Sequence, residues 1–176
     1  MTDAAVFQLI VNKVTAQHLG IAEEHWQRFC ERVKKEWLDK SAAVIQVHID
    51  GGSKGNPGPA GIGVVFSDAD GAVLREYYEY IGEETNNAAE YHALLKALDL
   101  AEEMGYDSLS LHSDSELLVG QISGDYQVKN ERLLPLYFRA EEAIRRLRSF
   151  SIRAIPRAEN KRADRLANLA ISRQGR

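Results

Sequence analysis

The chain has 176 residues, 44% of them hydrophobic and 27% charged, with a formal net charge of −4. This is the composition of an average globular protein, and it excludes disordered, collagenous and coiled-coil classes. No apolar run approaches the roughly 18–20 residues of a membrane span, Met1-Thr2-Asp3 offers no basic start for a secretory signal, and the lone Cys30 excludes an intrachain disulfide and a zinc site built on cysteine pairs. The expectation is a cytoplasmic protein without a membrane partner, its Cys30 buried as a small hydrophobe.

In chain order, two helices are expected first, from about Ala4 to His18 and from Ala22 to Asp39. Trp26, Phe29, Cys30, Val33 and Trp37 recur at three- and four-residue spacing along the second. Such a hairpin cannot bury its apolar stripe alone, so it either docks on the rest of the chain or forms a homodimer. Ser41-Ala42-Ala43 is the expected junction between a helical extension, 1–41, and a second domain, 42–176. Ile45, Val47 and Ile49 then alternate with Gln46, His48 and Asp50, as in a half-buried strand.

Strands follow over 43–50, 61–67 and 73–81, the first two joined by a Gly-rich turn. A helix is expected over 86–104, a strand over 108–113, a short helix over 115–122, a helix near 131–148, a strand over 150–156 and a last helix over 160–172. Stripes such as Tyr137, Ala140, Ile144 and Leu147, and Ala163, Leu166, Ala167 and Ala170, carry the late helices. Three consecutive strands followed by alternating helices and strands predict an α/β fold, a mixed five-stranded sheet flanked by helices, with the N-terminal helical hairpin appended.

Charge is unevenly distributed. Residues 1–41 carry 6 acids and 6 bases, residues 42–138 carry 16 acids and 5 bases, and residues 139–176 carry 4 acids and 11 bases. An acidic middle beside an Arg-rich end fits either a cation site next to a phosphate-binding surface or ordinary solvated helix faces.

Four acids stand out by position. Asp50 ends the first strand, at the start of Gly51-Gly52-Ser53-Lys54-Gly55-Asn56-Pro57-Gly58-Pro59-Ala60-Gly61. That loop is either a plain hairpin turn or a glycine-lined approach for a sugar-phosphate chain; it lacks the endings of a Walker A or dinucleotide loop. Glu90 lies one turn into the helix that Thr85-Asn86-Asn87 opens, where it could equally serve the helix dipole. Asp114 follows a strand and could be a helix cap; Asp164 could be a first-turn acid. Together they place two acids at strand ends and two in first turns, where a sheet fold gathers side chains. A unit pair at 4 Å repels by about 4 kcal/mol at an effective dielectric of 20. A divalent cation relieves such a cluster, and all-oxygen ligation suits Mg²⁺ or Mn²⁺.

The segments DGGSKGNPGPAG, TNNAAEY, HSDSELL and ENKRADRLANLA, in this order and spacing, resemble type 1 ribonuclease H over residues 43–172. The resemblance implies a ribonuclease H-like fold and hydrolysis of the RNA strand of an RNA/DNA hybrid with two metal ions. It makes Asp50 the ligand shared by both ions, Asp164 part of the site that activates water, and Glu90 and Asp114 holders of the other ion. Gly51, Gly52, Ser53, Lys54, Gly55, Asn56, Asn86 and Asn87 would contact the hybrid in its minor groove, where 2′-hydroxyls mark RNA; Glu116, Lys129 and Asn130 complete the expected nucleic-acid contacts.

Three departures from that pattern stand out. The segment Ile152–Asn160 has no histidine, and Arg157 takes the matching place, as in the archaeal-like branch; it would assist phosphate positioning or product release. Glu116 stands where the family often has Gln. Gly120–Leu136 holds only Lys129 and Arg132 as bases, so the basic protrusion of longer bacterial enzymes is missing. Competing readings are a non-catalytic nucleic-acid-binding module, which would have no reason to keep four like charges, and a sugar kinase, which would need a second such domain. His48 and His112, each two residues before an acid, are expected to be packed or supporting residues.

Overall fold

The computed structural model describes residues 9–33 and 43–173, which fall into two compact units dividing at Ala43/Val44. In the first unit, residues 9–13 are helical and the helix does not run on to His18. Thr15 adopts an extended backbone (φ −115°, ψ 162°), and its hydroxyl accepts from the His18 amide while the His18 side chain reaches back to the Thr15 amide. This capping box starts a separate turn, α1 (Ala16–Leu19), which Gly20 ends at φ 65°. α2 (Glu23–Val33) carries the expected stripe as far as it is described: Trp26 is buried with Phe29 stacked on it, centroids 5.7 Å apart. Cys30 is half-buried rather than buried, the buried residue of α2 being Trp26. Trp37, Ser41, Ala42 and the first turn from Ala4 lie outside the described residues.

The second unit holds β1 (Ile45–Ser53), β2 (Gly58–Ser67), β3 (Val73–Glu84), α3 (Asn86–Glu103), β4 (Ser108–Ser113), α4 (Glu116–Ile122), α5 (Leu134–Arg146), β5 (Ser149–Ala154) and α6 (Lys161–Arg173). The sheet order is β3-β2-β1-β4-β5, with β1, β2 and β3 antiparallel in sequence and β4 and β5 added parallel to β1. The expected mixed five-stranded sheet is therefore the one observed. α5 starts at Leu134 rather than near 131 because the Asn130 side-chain and main-chain oxygens accept from the Arg132 and Leu133 amides, closing a turn first.

Alternation along the strands separates two packing faces. Ile45, Val47 and Ile49 of β1, Ile62, Val64 and Phe66 of β2, and Leu109 and Leu111 of β4 form one core with Tyr91, Leu94 and Leu98 of α3. On the opposite face Val65 of β2 packs with Ala163 and Leu166 of α6. Each large apolar side chain so buried stabilises the fold by about 1.5–3 kcal/mol.

Glycines set how closely the helices approach. The Gly-rich turn is shorter than its sequence implies, since Gly51, Gly52 and Ser53 remain in β1, paired with Ile62, Gly61 and Ala60. Gly51 shares the face of Ile49, and a Cβ there would stand 2.2 Å from the Ala89 carbonyl group and 2.3 Å from the Glu90 nitrogen. On the other face, Cβ atoms at Gly61 and Gly63 would meet the Ala167 oxygen at 2.7 Å and the Ala163 oxygen at 2.2 Å. β1 and β2 are thus flattened at glycine so that α3 and α6 can close on them from opposite sides. A Cβ at Gly52 meets nothing within 4 Å. Gly51→Ala should therefore lower the melting temperature by an amount equivalent to roughly 1–3 kcal/mol or more through overpacking, while Gly52→Ala should leave it within error; equal losses in thermal melts would contradict this account of β1.

Candidate active site

Four elements bring the acids together. Asp50, within β1, and Asp114, just past the end of the parallel β4, each lie two residues beyond the paired His48 and His112. Asp50 is held mid-strand, three residues before β1 ends, not at its terminus. Glu90 belongs to the first turns of α3, whose N-cap Thr85 accepts from the Ala88 amide. The missing side chain at Gly51 lets that helix end close on β1, so Glu90 reaches Asp50 from the other face. One carboxylate oxygen each from Asp50, Glu90 and Asp114 lies within 4.8 Å of the others. Asp164, in the first turn of α6, lines the same cleft of ≈ 380 Å³ but stands outside that three-acid group.

The electrostatics follow from this crowding. Asp50 is 7% exposed; burial first, then the charges of Asp114 and Asp164, push its pKa up to about 7 against the opposing Arg157, and a hydrogen bond with Asp114 adds to the rise. Burial, followed by Asp50 and Asp114, raises Glu90 well above the usual carboxylate range, although the Gly51 amide donates to it. Its Oε2 is buried without a hydrogen-bond partner among the described residues. Three acids at this spacing, with an orphaned buried oxygen, form a donor set that fits a hard divalent cation such as Mg²⁺ or Mn²⁺.

Asp164 is handled differently. Arg157 Nη2 donates to its Oδ1 at 2.5 Å, and Asn168 Nδ2 donates to its Oδ2 at 3.1 Å and to its main-chain oxygen at 2.9 Å. The Arg157 side chain remains 77% exposed at the mouth of the cleft, and Asp164 holds it more firmly protonated. It comes from a 3₁₀ turn, Arg157–Glu159, between β5 and α6.

Of the residues expected to contact nucleic acid, Gly51, Gly52, Ser53, Lys54 and Asn86 line the cleft with the acids. The others stand off it. Asn56 Oδ1 accepts from the Asn86 amide and Asn86 Oδ1 accepts from the Ser53 amide, so the tip of the hairpin is fastened to the start of α3. Ser53 Oγ donates to the Gly55 carbonyl at 2.6 Å. Gly55, Asn87, Glu116, Lys129 and Asn130 are exposed outside the cleft.

Three residues given no role from sequence belong to the site. Asn168 holds Asp164; Ser115 lines the cleft and caps α4 by accepting from the Leu118 amide. Asn160 is 1% exposed, and its Nδ2 donates to the Ile49 carbonyl at 2.8 Å and to Asp114 Oδ1 at 2.6 Å. The four-residue spacing Asn160, Asp164, Asn168 along one helix face carried the signal. His48 and His112 stack with centroids 4.6 Å apart. Arg153 Nε donates to His112 Nδ1 at 2.9 Å, and burial, His48 and Arg153 hold His112 neutral, its pKa brought down to about 4.

A sheet of this order with acids gathered on β1, after β4 and at the starts of two packed helices is the ribonuclease H-like fold. The sequence matches the reverse transcriptase-like family over residues 48–170. A ribonuclease HI of Halobacterium salinarum is 41% identical over 127 residues, 72% of this chain and 64% of that protein. A bifunctional protein of Mycobacterium tuberculosis is 44% identical over 128 residues, 72% of this chain and 35% of that protein. The crystal structure of LC11-RNase H1 in complex with an RNA/DNA hybrid, 41% identical, matches with a TM-score of 0.72 over 75% of this chain and 99% of that one. The chain belongs to the reverse transcriptase-like family, within its type 1 ribonuclease H group, and it spans less than two thirds of the length of these two curated relatives.

The raised Asp50 pKa has a measurable consequence in metal-free buffer. A carboxyl whose folded pKa lies above its unfolded value near 3.8 contributes stability below that value and loses it as pH rises through about 7. Asp50→Asn removes the titration. In EDTA its stabilising effect relative to wild type should therefore grow from pH 5 to pH 8, by roughly 2–3 kcal/mol at 1.36 kcal/mol per unit. Denaturant unfolding of both proteins at the two pH values checks this, and a pH-independent difference would show Asp50 to be already ionised at pH 5.

Proposed function

We propose that the protein is an endoribonuclease that hydrolyses the RNA strand of RNA/DNA hybrids in the cytoplasm with two divalent metal ions, Mg²⁺ or Mn²⁺. The activity is assigned to residues 42–176, with residues 1–41 as an N-terminal extension. The observation that carries the reading is the group of Asp50, Glu90 and Asp114, oxygens within 4.8 Å, in a cleft it shares with Asp164 and with Gly52, Ser53 and Lys54 at the end of β1. Kinship with a protein solved on an RNA/DNA hybrid supports the substrate.

Asp50, Glu90 and Asp114 would hold one ion, and Asp50 with Asp164 the other. Bound there, divalent cations supply a nucleophilic water at neutral pH and stabilise charge at phosphorus. Water oxygen bonds to phosphorus as the bond to the 3′ oxygen breaks; the phosphate stays on the 5′ end of one product and the other leaves as a 3′-hydroxyl. Gly52, Ser53, Lys54 and Asn86 line the wall against which the hybrid's minor groove would lie, where main-chain and amide groups can read 2′-hydroxyls. Arg157, exposed and fixed through Asp164, offers a guanidinium to the scissile or departing phosphate; permanently charged, it cannot carry protons at neutral pH.

Incubation with a strand-labelled hybrid should give internal cuts in RNA alone, dependent on Mg²⁺ or Mn²⁺ and stopped by EDTA, with 5′-phosphate and 3′-hydroxyl ends. Cleavage that survives EDTA, or 2′,3′-cyclic phosphate products, would overturn the mechanism. Arg157→Ala should slow turnover about 10- to 100-fold, the loss of one charge-assisted hydrogen bond to phosphate, and leave measurable activity; a rate as low as that of Asp50→Asn would place Arg157 among the essential groups.

A further inference from the structure

Asn160 is the last residue before α6 and ties three acid-bearing segments to one point. Its main-chain oxygen accepts from the Asp164 amide, closing the first turn of α6. Its Nδ2 donates both to the main-chain oxygen of Ile49, the residue before Asp50, and to Asp114 Oδ1. Because both partners are acceptors, the orientation of the amide is fixed by chemistry: only the NH₂ end can face them. The opposite end, Oδ1, is buried without a partner among the described residues.

Few side chains can do this. Two hydrogens on one uncharged nitrogen are needed, one for a carbonyl and one for a carboxylate. Serine and neutral histidine offer a single donor, and lysine or arginine would place a positive charge against Asp114 and compete with a cation for it. Leaving Oδ1 unpaired in the interior is unfavourable, so stability alone does not account for an amide here, whereas the double donation does. Asp114 follows the last residue of β4 and precedes the cap of α4, so no ladder fixes its side chain. With Oδ1 committed to Asn160, its carboxylate cannot rotate without losing that bond.

We propose that Asn160 is a positioning residue: without touching cation or substrate, it locks the Asp114 carboxylate to the end of β1 and so sets the divalent-cation affinity of the Asp50–Glu90–Asp114 group. This deepens the metal-dependent reading above and rests on it. Groups that orient metal ligands typically govern affinity or activity by roughly 10- to 100-fold.

The test uses the full chain as wild type, Asn160→Ala, Asn160→Asp and a distant core control, Leu98→Ala, each titrated with Mg²⁺ by thermal shift and assayed on the labelled hybrid at saturating Mg²⁺. Asn160→Ala should melt cooperatively, need roughly ten times more Mg²⁺ for half of the stabilisation, and lose about ten-fold or more in kcat with KM for hybrid within about two-fold. Asn160→Asp, the same size but presenting oxygens to two acceptors, should be worse than Ala on both readouts. Leu98→Ala should lose stability while keeping the wild-type Mg²⁺ midpoint, which separates positioning from general destabilisation. A wild-type midpoint and kcat in Asn160→Ala would overturn the proposal, as would failure of both Asn160 variants to fold, which would make the residue a folding determinant. If wild type leaves the hybrid uncut, the function proposed above fails, and the Mg²⁺ midpoints alone decide the role of Asn160.

Discussion

Mutual repulsion of carboxylates governs this structure. At 4.8 Å and an effective dielectric near 20, two unit charges oppose one another by about 3–4 kcal/mol, and Asp50 faces both Glu90 and Asp114 in a setting that excludes much of the water. Nothing in the local backbone favours such an approach. It is imposed by elements whose positions are fixed elsewhere: β1 and β4 by their parallel pairing, α3 by a core running from Tyr91 to Leu98, and α6 by Ala163 and Leu166 against Val65. The hydrophobic core therefore opposes the charge cluster, and protonation of Asp50 near neutrality shows how closely the two are balanced.

Close approach requires small residues as well as apolar ones, and the strands supply them on both faces. Gly51 faces α3 and Gly61 and Gly63 face α6, each at a distance that no Cβ could share with the helix backbone. Gly51 and Gly61, which look like parts of a flexible loop in sequence, are thus extended, paired residues whose role is contact. Only the tip beyond Ser53 behaves as a turn, and it is fastened to α3 through Asn56 and Asn86. Cleft wall and packing surface are two sides of one strand.

Much of this was legible in the sequence, for reasons that differ by element. Strand alternation at Ile45–Ile49 and the apolar positions of α3 carried the sheet and its covering helix, and the acids were legible from their places near strand ends and helix starts, although Asp50 proves to lie within β1. What escaped was whatever depends on three-dimensional contact. The role of Gly51 needs knowledge of Ala89, on the helix packed against its strand; the break at Thr15 is a local capping choice within what was expected to be one helix to His18; the start of α5 yields to the turn at Asn130. Asn160 was visible only as part of a motif, since a long-range bond to Ile49 leaves no periodic trace.

Positive charge is distributed so that the three clustered acids are not neutralised by the protein itself. Arg157 engages Asp164, outside the three-acid group, and stays largely in solvent, where its field is screened. On the sheet side Arg153 donates to His112, which accepts while remaining uncharged. His112 stacks on His48, and Asn160, the side chain seen donating to Asp114, is neutral. A lysine or charged imidazole at any of these places would hold the carboxylates ionised and relieve their repulsion without a cation. Neutral donors leave that repulsion in place, and with it the affinity for a divalent ion.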